Sequence, residues 1–220
     1  SSDLDSGSYV YAGEGEVMEQ RNWHRQTSVH NTVTLDNKNL ETTESVTKLW
    51  QPEGNIQTLV TENPSYKNFK HRRSVFFVDN TYFVIVDEVS GSAKGSVNLH
   101  YQMPKGEIAN SREDMTFLTQ FEDGSNMKLQ CFGPEGMSMK KEPGWCSTAY
   151  RKRYKRMNVS FNVKKDNENA VRYITVIYPV KKSADAPKFD AKFKNKTFDE
   201  NGLEIEVKVN GKKQSLKYKL

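Results

Sequence analysis

Ser74-Val75-Phe76-Phe77-Val78, Asp79-Asn80, Tyr82-Phe83-Val84-Ile85-Val86 is the stretch whose reading decides the fold. Two short runs of β-branched and aromatic residues flank a dipeptide suited to positive φ. That combination is the local signature of a hairpin. The same grammar recurs along the chain. Val97-Asn98-Leu99-His100-Tyr101, Met127-Lys128-Leu129-Gln130-Cys131-Phe132, Asn158-Val159-Ser160-Phe161-Asn162-Val163 and Tyr173-Ile174-Thr175-Val176-Ile177-Tyr178 alternate or run apolar over strand lengths. Val33-Thr34-Leu35 and Met115-Thr116-Phe117-Leu118 are shorter examples. Asn210-Gly211 joins Ile205–Val209 to Ser215–Leu220 as a second tight hairpin, and Asp123-Gly124, Gly133-Pro134 and Pro143-Gly144 read as breaks. No segment carries a sustained helical stripe. The expectation is an all-β chain, an antiparallel multi-stranded β-sandwich. Residues 1–180 form the sandwich, and 181–220 form a small C-terminal strand extension on or beside it. The polar, Pro-containing stretch Lys181–Pro187 is the link.

Composition narrows the class further. The 220 residues include 33 Lys+Arg against 28 Asp+Glu, a net charge of +5. A modest positive excess suits an acidic partner such as an anionic glycan, nucleic acid or membrane surface, and equally suits an ordinary solvated surface. No run of about 18 apolar residues is present, so no membrane span is expected. There is no leader-like segment; the abrupt start Ser1-Ser2-Asp3-Leu4 reads as a mature or truncated terminus and runs into a strand-like Tyr9-Val10-Tyr11. Cys131 and Cys146 are too few for a disulfide scaffold; they either pair across the Gly/Pro-rich turn between them or stay reduced and packed.

Five clusters carry chemistry. In Arg25-Gln26-Thr27-Ser28-Val29-His30-Asn31-Thr32-Val33, a histidine directly before a strand is either a metal ligand or proton carrier, or a satisfied loop residue. In Leu4-Asp5-Ser6-Gly7-Ser8-Tyr9, Asp5 is a turn former or a carboxylate ligand. Lys70-His71-Arg72-Arg73 surrounds one imidazole with three cations, a set that binds sulfate or carboxylate or simply solvates a strand end. Tyr150-Arg151-Lys152-Arg153-Tyr154-Lys155-Arg156 interleaves cations with tyrosines, either as an anion track with stacking rings or as an exposed strand face. Arg21-Asn22-Trp23-His24-Arg25 reads as a loop with sugar-binding chemistry or a packed Trp with solvated neighbours. No Gly-rich phosphate loop, CxxC pair or nucleophile elbow is found.

These residues resemble a known family. Asp5-Ser6-Gly7-Ser8-Tyr9-Val10-Tyr11, the Arg25–Val33 block with its His30-Asn31-Thr32, His71-Arg72-Arg73-Ser74-Val75-Phe76-Phe77, Tyr82–Val89, Gly144–Tyr150 and Thr175-Val176-Ile177-Tyr178-Pro179 occur in the order found in heparinase II/III-like polysaccharide lyases, with the heparinase III type of polysaccharide lyase family twelve the nearest likeness. The resemblance implies an N-terminal α/α toroid, absent here, followed by an antiparallel sandwich, with the substrate cleft between them. It implies β-elimination at uronic acids of heparin or heparan sulfate. The acid/base Tyr and the carboxylate-neutralising Asn belong to the toroid, and a catalytic His belongs to a His-x-His segment upstream of Ser1. It also implies that Asp5 and His30 hold a structural divalent cation, Zn²⁺ or Ca²⁺, with a third ligand from that upstream segment.

His71 is then the candidate catalytic side chain on this chain. Arg21, His24, Arg25, Lys70, Arg72 and Arg73 are candidates for substrate binding. The implied partners are a sulfated glycosaminoglycan and the toroid of the same polypeptide, with no nucleic acid, and the implied location is periplasmic or secreted. A non-catalytic glycan-binding module and the equivalent domain of an alginate or other uronate lyase are the alternative readings.

Overall fold

Asp79 and Asn80 both adopt left-handed φ, as do Asn210 and Gly211. Asn210-Gly211 closes a two-residue hairpin, and Asp79-Asn80 together with Thr81 closes a three-residue one. The computed structural model describes residues 5–220; the start at Ser1-Ser2-Asp3-Leu4 lies outside the described residues. In chain order come α1 (Gly15–His24), β1 (Val33–Leu35), β2 (Val46–Gln51), β3 (Ile56–Tyr66), β4 (Phe69–Val78) and β5 (Tyr82–Ser90). There follow β6 (Gly95–Gln102), β7 (Ile108–Ser111), β8 (Thr116–Thr119), β9 (Asn126–Phe132) and β10 (Ser138–Ala149). The chain ends with β11 (Lys152–Lys165), β12 (Val171–Val180), β13 (Phe189–Phe193), β14 (Gly202–Val209) and β15 (Lys212–Lys219). The strand pairs whose register is resolved are antiparallel. The all-β, antiparallel sandwich class is therefore as expected. No helix among the described residues is long and apolar enough to cross a membrane.

The chain divides into two compact units. The first comprises residues 1–41, 95–106 and 137–164 and carries a four-stranded sheet in the order β1-β6-β11-β10. Val33, Val97, Leu99, Val159 and Phe161 are buried in it. His100 is buried there too, and its Nε2 meets Thr34 Oγ1 at 2.9 Å. Loss of solvation lowers its pKa to about 4, so the ring is neutral at physiological pH.

The second unit comprises residues 42–94, 107–136 and 165–220. Its eight-stranded sheet has the order β2-β3-β4-β5-β12-β9-β8-β7, and β13-β14-β15 form a three-stranded sheet. The pleat sends Val60, Phe76, Val78, Val84, Val86, Ile174 and Val176 to one face of the large sheet, where they pack with Leu203, Ile205, Val207, Leu216 and Tyr218 of the small one. Each such side chain contributes roughly 1.5–3 kcal/mol by leaving water. Ser74 Oγ and Tyr218 OH, 2.8 Å apart, join the layers at a polar point.

Four local expectations are corrected. Residues 15–24, read as non-helical, form α1. Its Glu, Met, Gln and Arg content favours helix, but it lacks the apolar stripe that would have announced it. Tyr9-Val10-Tyr11 is not a strand; only Gly7 makes an isolated bridge, to Ser147. Pro143-Gly144 does not break the chain but lies inside β10. Because β10 is the edge of its sheet, a missing amide is tolerated there. Gly144 is required by closeness: a Cβ would stand 2.2 Å from Asn158 Nδ2. Finally, Lys70–Arg73 do not precede a strand but form the first half of β4.

Candidate functional site

Gly7 adopts φ +69, and its N–H donates to Asp5 Oδ1 at 3.1 Å, so Asp5-Ser6-Gly7 is a tight side-chain-closed turn. The turn is pressed on β10: Ser147 N–H donates to Ser6 O at 2.9 Å, and a Cβ on Gly7 would meet Ser147 O at 2.1 Å. On the other side, a short 3-10 turn over Thr27–Val29 presents His30. Thr27 accepts and donates across the loop, its N–H to Asn39 Oδ1 at 2.8 Å and its Oγ1 taking Leu40 N–H at 2.9 Å. Asn31 Oδ1 takes Gln102 N–H at 2.7 Å, tying the His30-Asn31-Thr32 block to β6.

These two constructions bring Asp5 Oδ2 and His30 Nδ1 to 2.8 Å. Partial burial raises the Asp5 carboxyl, but the His30 hydrogen bond, the Gly7 amide and the charges of His30 and Arg156 outweigh it and hold the pKa below the usual value. The pair offers one carboxylate oxygen and one imidazole nitrogen, the donor types of a zinc site or an oxygen-richer calcium site. Among the described residues no group of three or more His, Cys, Asp and Glu side chains is gathered to hold a metal. The pair therefore fits a metal only as two members of a larger ligand set. Cys131 and Cys146 are both buried free thiols.

The remaining candidates fall into two groups. Arg21, His24 and Arg25 lie in and just after α1 in the first unit. Arg21 Nε donates to Tyr11 O at 2.8 Å. His24 is buried beside the backbone of Ser6 and Gly7, and burial with nearby Arg153 and Arg156 depresses its pKa. Arg25 is exposed.

Lys70, His71, Arg72 and Arg73 lie on β4 in the second unit, and the pleat splits them. His71 is 4% exposed, and its Nε2 stands 2.6 Å from Asp87 Oδ1. Arg73 Nε donates to the same oxygen at 2.7 Å. Full burial raises Asp87, yet the Arg73 charge and the His71 hydrogen bond bring it down to about 2. Arg72, 1% exposed, points to the opposite face. Its Nη2 reaches Glu88 Oε2 at 2.6 Å and Asp199 O at 2.7 Å, and Phe198 lies 4.4 Å from the guanidinium. Both Arg72 and His71 are thus committed to buried partners and closed to solvent. Lys70 is the open member; it lines a cleft of about 390 Å³ with Tyr66, Phe69, Ser90, Phe198 and Glu200.

Sequence reasoning missed the acids that organise this strand group. Register places Glu88 directly between Arg72 on β4 and Arg172 on β12, whose Nε donates to Glu88 Oε1 at 2.8 Å. The available signal was Asp87-Glu88 ending an otherwise apolar run, since acids there must be paired when buried.

The family described as heparinase II/III-like, C-terminal, matches residues 4–192. A heparin-sulfate lyase of Bacteroides stercoris is 88% identical over 98% of this chain and 32% of its own length. One of Pedobacter heparinus is 34% identical over 96% of this chain and, again, 32% of its own length. Among solved structures, heparinase III superposes with a TM-score of 0.92 at 31% identity, covering 98% of this chain and 33% of that one. The chain thus spans about a third of the length of the relatives it matches. With the matched region covering most of its length, the chain belongs to the heparinase II/III-like family, in its C-terminal domain.

Proposed function

We propose that this chain is the C-terminal sandwich of a lyase that cuts heparin or heparan sulfate at its uronic acids by β-elimination. The observation that carries the reading is the 88% identity, over 98% of the chain, to a heparin-sulfate lyase. In the reaction a base takes the C5 proton of the uronate while a neighbouring group neutralises its carboxylate. The C4–O bond breaks as an acid protonates the departing oxygen, leaving a C4=C5 double bond. These proton-transfer groups belong to the part of the polypeptide beyond the matched third, in a helical toroid that is the sandwich's partner.

On this chain, Asp5 and His30 hold a structural divalent cation, zinc or calcium, together with a ligand from outside the chain. Their 2.8 Å approach supports that role. The cation would pin the Asp5-Ser6-Gly7 turn to the His30 loop. Arg21, Arg25 and Lys70 supply cationic surface to sulfates and carboxylates, an interaction that salt screens. A large sulfated glycan is met outside the cytoplasm, so the protein acts in the periplasm or is secreted.

The test is the ultraviolet absorbance of unsaturated uronate formed by the polypeptide at its natural length. Growth with heparan sulfate is the expected result. Growth with alginate and none with heparan sulfate contradicts the proposal.

A further inference from the structure

The Tyr150–Arg156 segment, one of the clusters singled out in the sequence, forms the tip of the β10–β11 hairpin and the start of β11. Ala149 pairs with Lys152, so Tyr150 and Arg151 are the connection, and Arg151 takes a left-handed φ of 56°. The segment following Asp5 runs beside this hairpin. Ser147 N–H donates to Ser6 O and Arg151 N–H to Tyr9 O, both at 2.9 Å. Arg21 Nε holds Tyr11 O. Two rings are thereby delivered to the hairpin. Tyr11 stacks on Tyr150 with centroids 6.1 Å apart and planes 15° apart. Burial does not explain the pair, because Tyr11 is 80% and Tyr150 56% exposed.

Cations line the same structure. Arg153 lies 4.1 Å from the Trp145 ring centre and 5.5 Å from that of Tyr9, Lys155 lies 5.9 Å from Trp145, and Arg151 lies 5.6 Å from Tyr150. The register explains the grouping: Trp145 opposes Lys155, and Arg153 is its diagonal neighbour on that face. From Pro143 to Lys165 the sequence contains no carboxylate, so every formal charge this stretch contributes is positive. Exposed ring faces accept the C–H face of a pyranose, and guanidinium and ammonium groups accept sulfate and carboxylate.

We propose that the Tyr11–Tyr150 stack, with Arg151, Arg153 and Lys155, is a platform that holds a sulfated uronate chain. The proposal rests on the glycan reading above and adds the location. It is separable from lyase chemistry, since the platform uses none of the proton-transfer groups.

The test is calorimetric titration of the chain with heparan sulfate oligosaccharides at low and high salt. Three double variants are compared: Tyr11→Ala with Tyr150→Ala, Arg151→Ala with Lys155→Ala, and Lys212→Ala with Lys213→Ala. All six positions are exposed, and the last pair removes the same charge from the second unit. The tyrosine variant is expected to bind about tenfold more weakly at both salts. The Arg151/Lys155 variant loses a similar factor at low salt and little at high salt, as screened ion pairs do. The Lys212/Lys213 variant binds as the parent. Equal losses in all three variants, or none in the first two, overturn the platform. So does tighter binding of a single-stranded DNA than of heparan sulfate. If the parent chain fails to bind while the natural-length polypeptide still forms unsaturated uronate, the platform falls and the lyase reading stands. If the chain binds through the platform but that polypeptide forms no unsaturated uronate, the reverse holds.

Discussion

His30 Nδ1 stands 2.8 Å from Asp5 Oδ2, although the two residues are 25 apart in sequence and sit on separately anchored loops. Two donors so placed are expected to share a cation. In the natural-length polypeptide, Asp5→Ala and His30→Ala should each lower bound zinc or calcium, read by elemental analysis. Each should also lower thermal stability by about 2 kcal/mol, several degrees in Tm. Unchanged metal content in both variants would remove the assignment.

Arg72 and Glu88 form the second consequential pair. Arg72 is fully enclosed, and Glu88 faces both it and Arg172 across the sheet. Replacing Glu88 strands two guanidiniums, and replacing Arg72 leaves Glu88 with Arg172 as its remaining counter-charge. Arg72→Ala and Glu88→Ala should each destabilise the chain by roughly 3–5 kcal/mol in urea titrations. The backbone of Asp199 and Gly202, which accepts from Arg72, should become more open to hydrogen exchange. A cost below about 1 kcal/mol would mean that the ion group is not structural.

His100 and Asp87 are two of the groups whose burial shapes the acid side of stability. His100 binds its proton less readily in the fold, at about 4 against an ordinary 6.5, so the unfolded chain takes up more protons between those values. Stability is full above pH 6.5 and falls as the pH drops toward 4. Asp87 is held at about 2 against 3.8, so its contribution persists above 3.8 and is lost as the pH falls toward 2. Denaturant midpoints taken across this range should show both falls. His100→Gln should flatten the upper one and Asp87→Asn the lower one.

The strands were legible because their periodicity and their turns agree. Asp79-Asn80 and Asn210-Gly211 name their hairpins from two residues each. The adjacency of Asp5 and His30 came from family likeness and not from spacing, since nothing local says that the Gly7 turn and the Thr27–Val29 turn face one another. Helix α1 stayed hidden because it rests one buried residue, His24, against the protein and so has no apolar stripe. The split of His71, Arg72 and Arg73 between opposite sheet faces follows from the strand period. Reading the basic run as the end of a strand, when it lies within one, concealed it. Tyr11 and Tyr150 meet only because the segment after Asp5 is hydrogen-bonded along β10, a tertiary contact with no sequence mark.

The proposed function puts the proton-transfer groups of the lyase on parts of the polypeptide other than these strands. The most direct measurement compares turnover of heparan sulfate by the 220-residue chain and by the polypeptide at its natural length, at equal molar concentration, through the absorbance of the new double bond. Rapid growth with the long form and none above background with the chain is the predicted result. Robust turnover by the chain alone would contradict it.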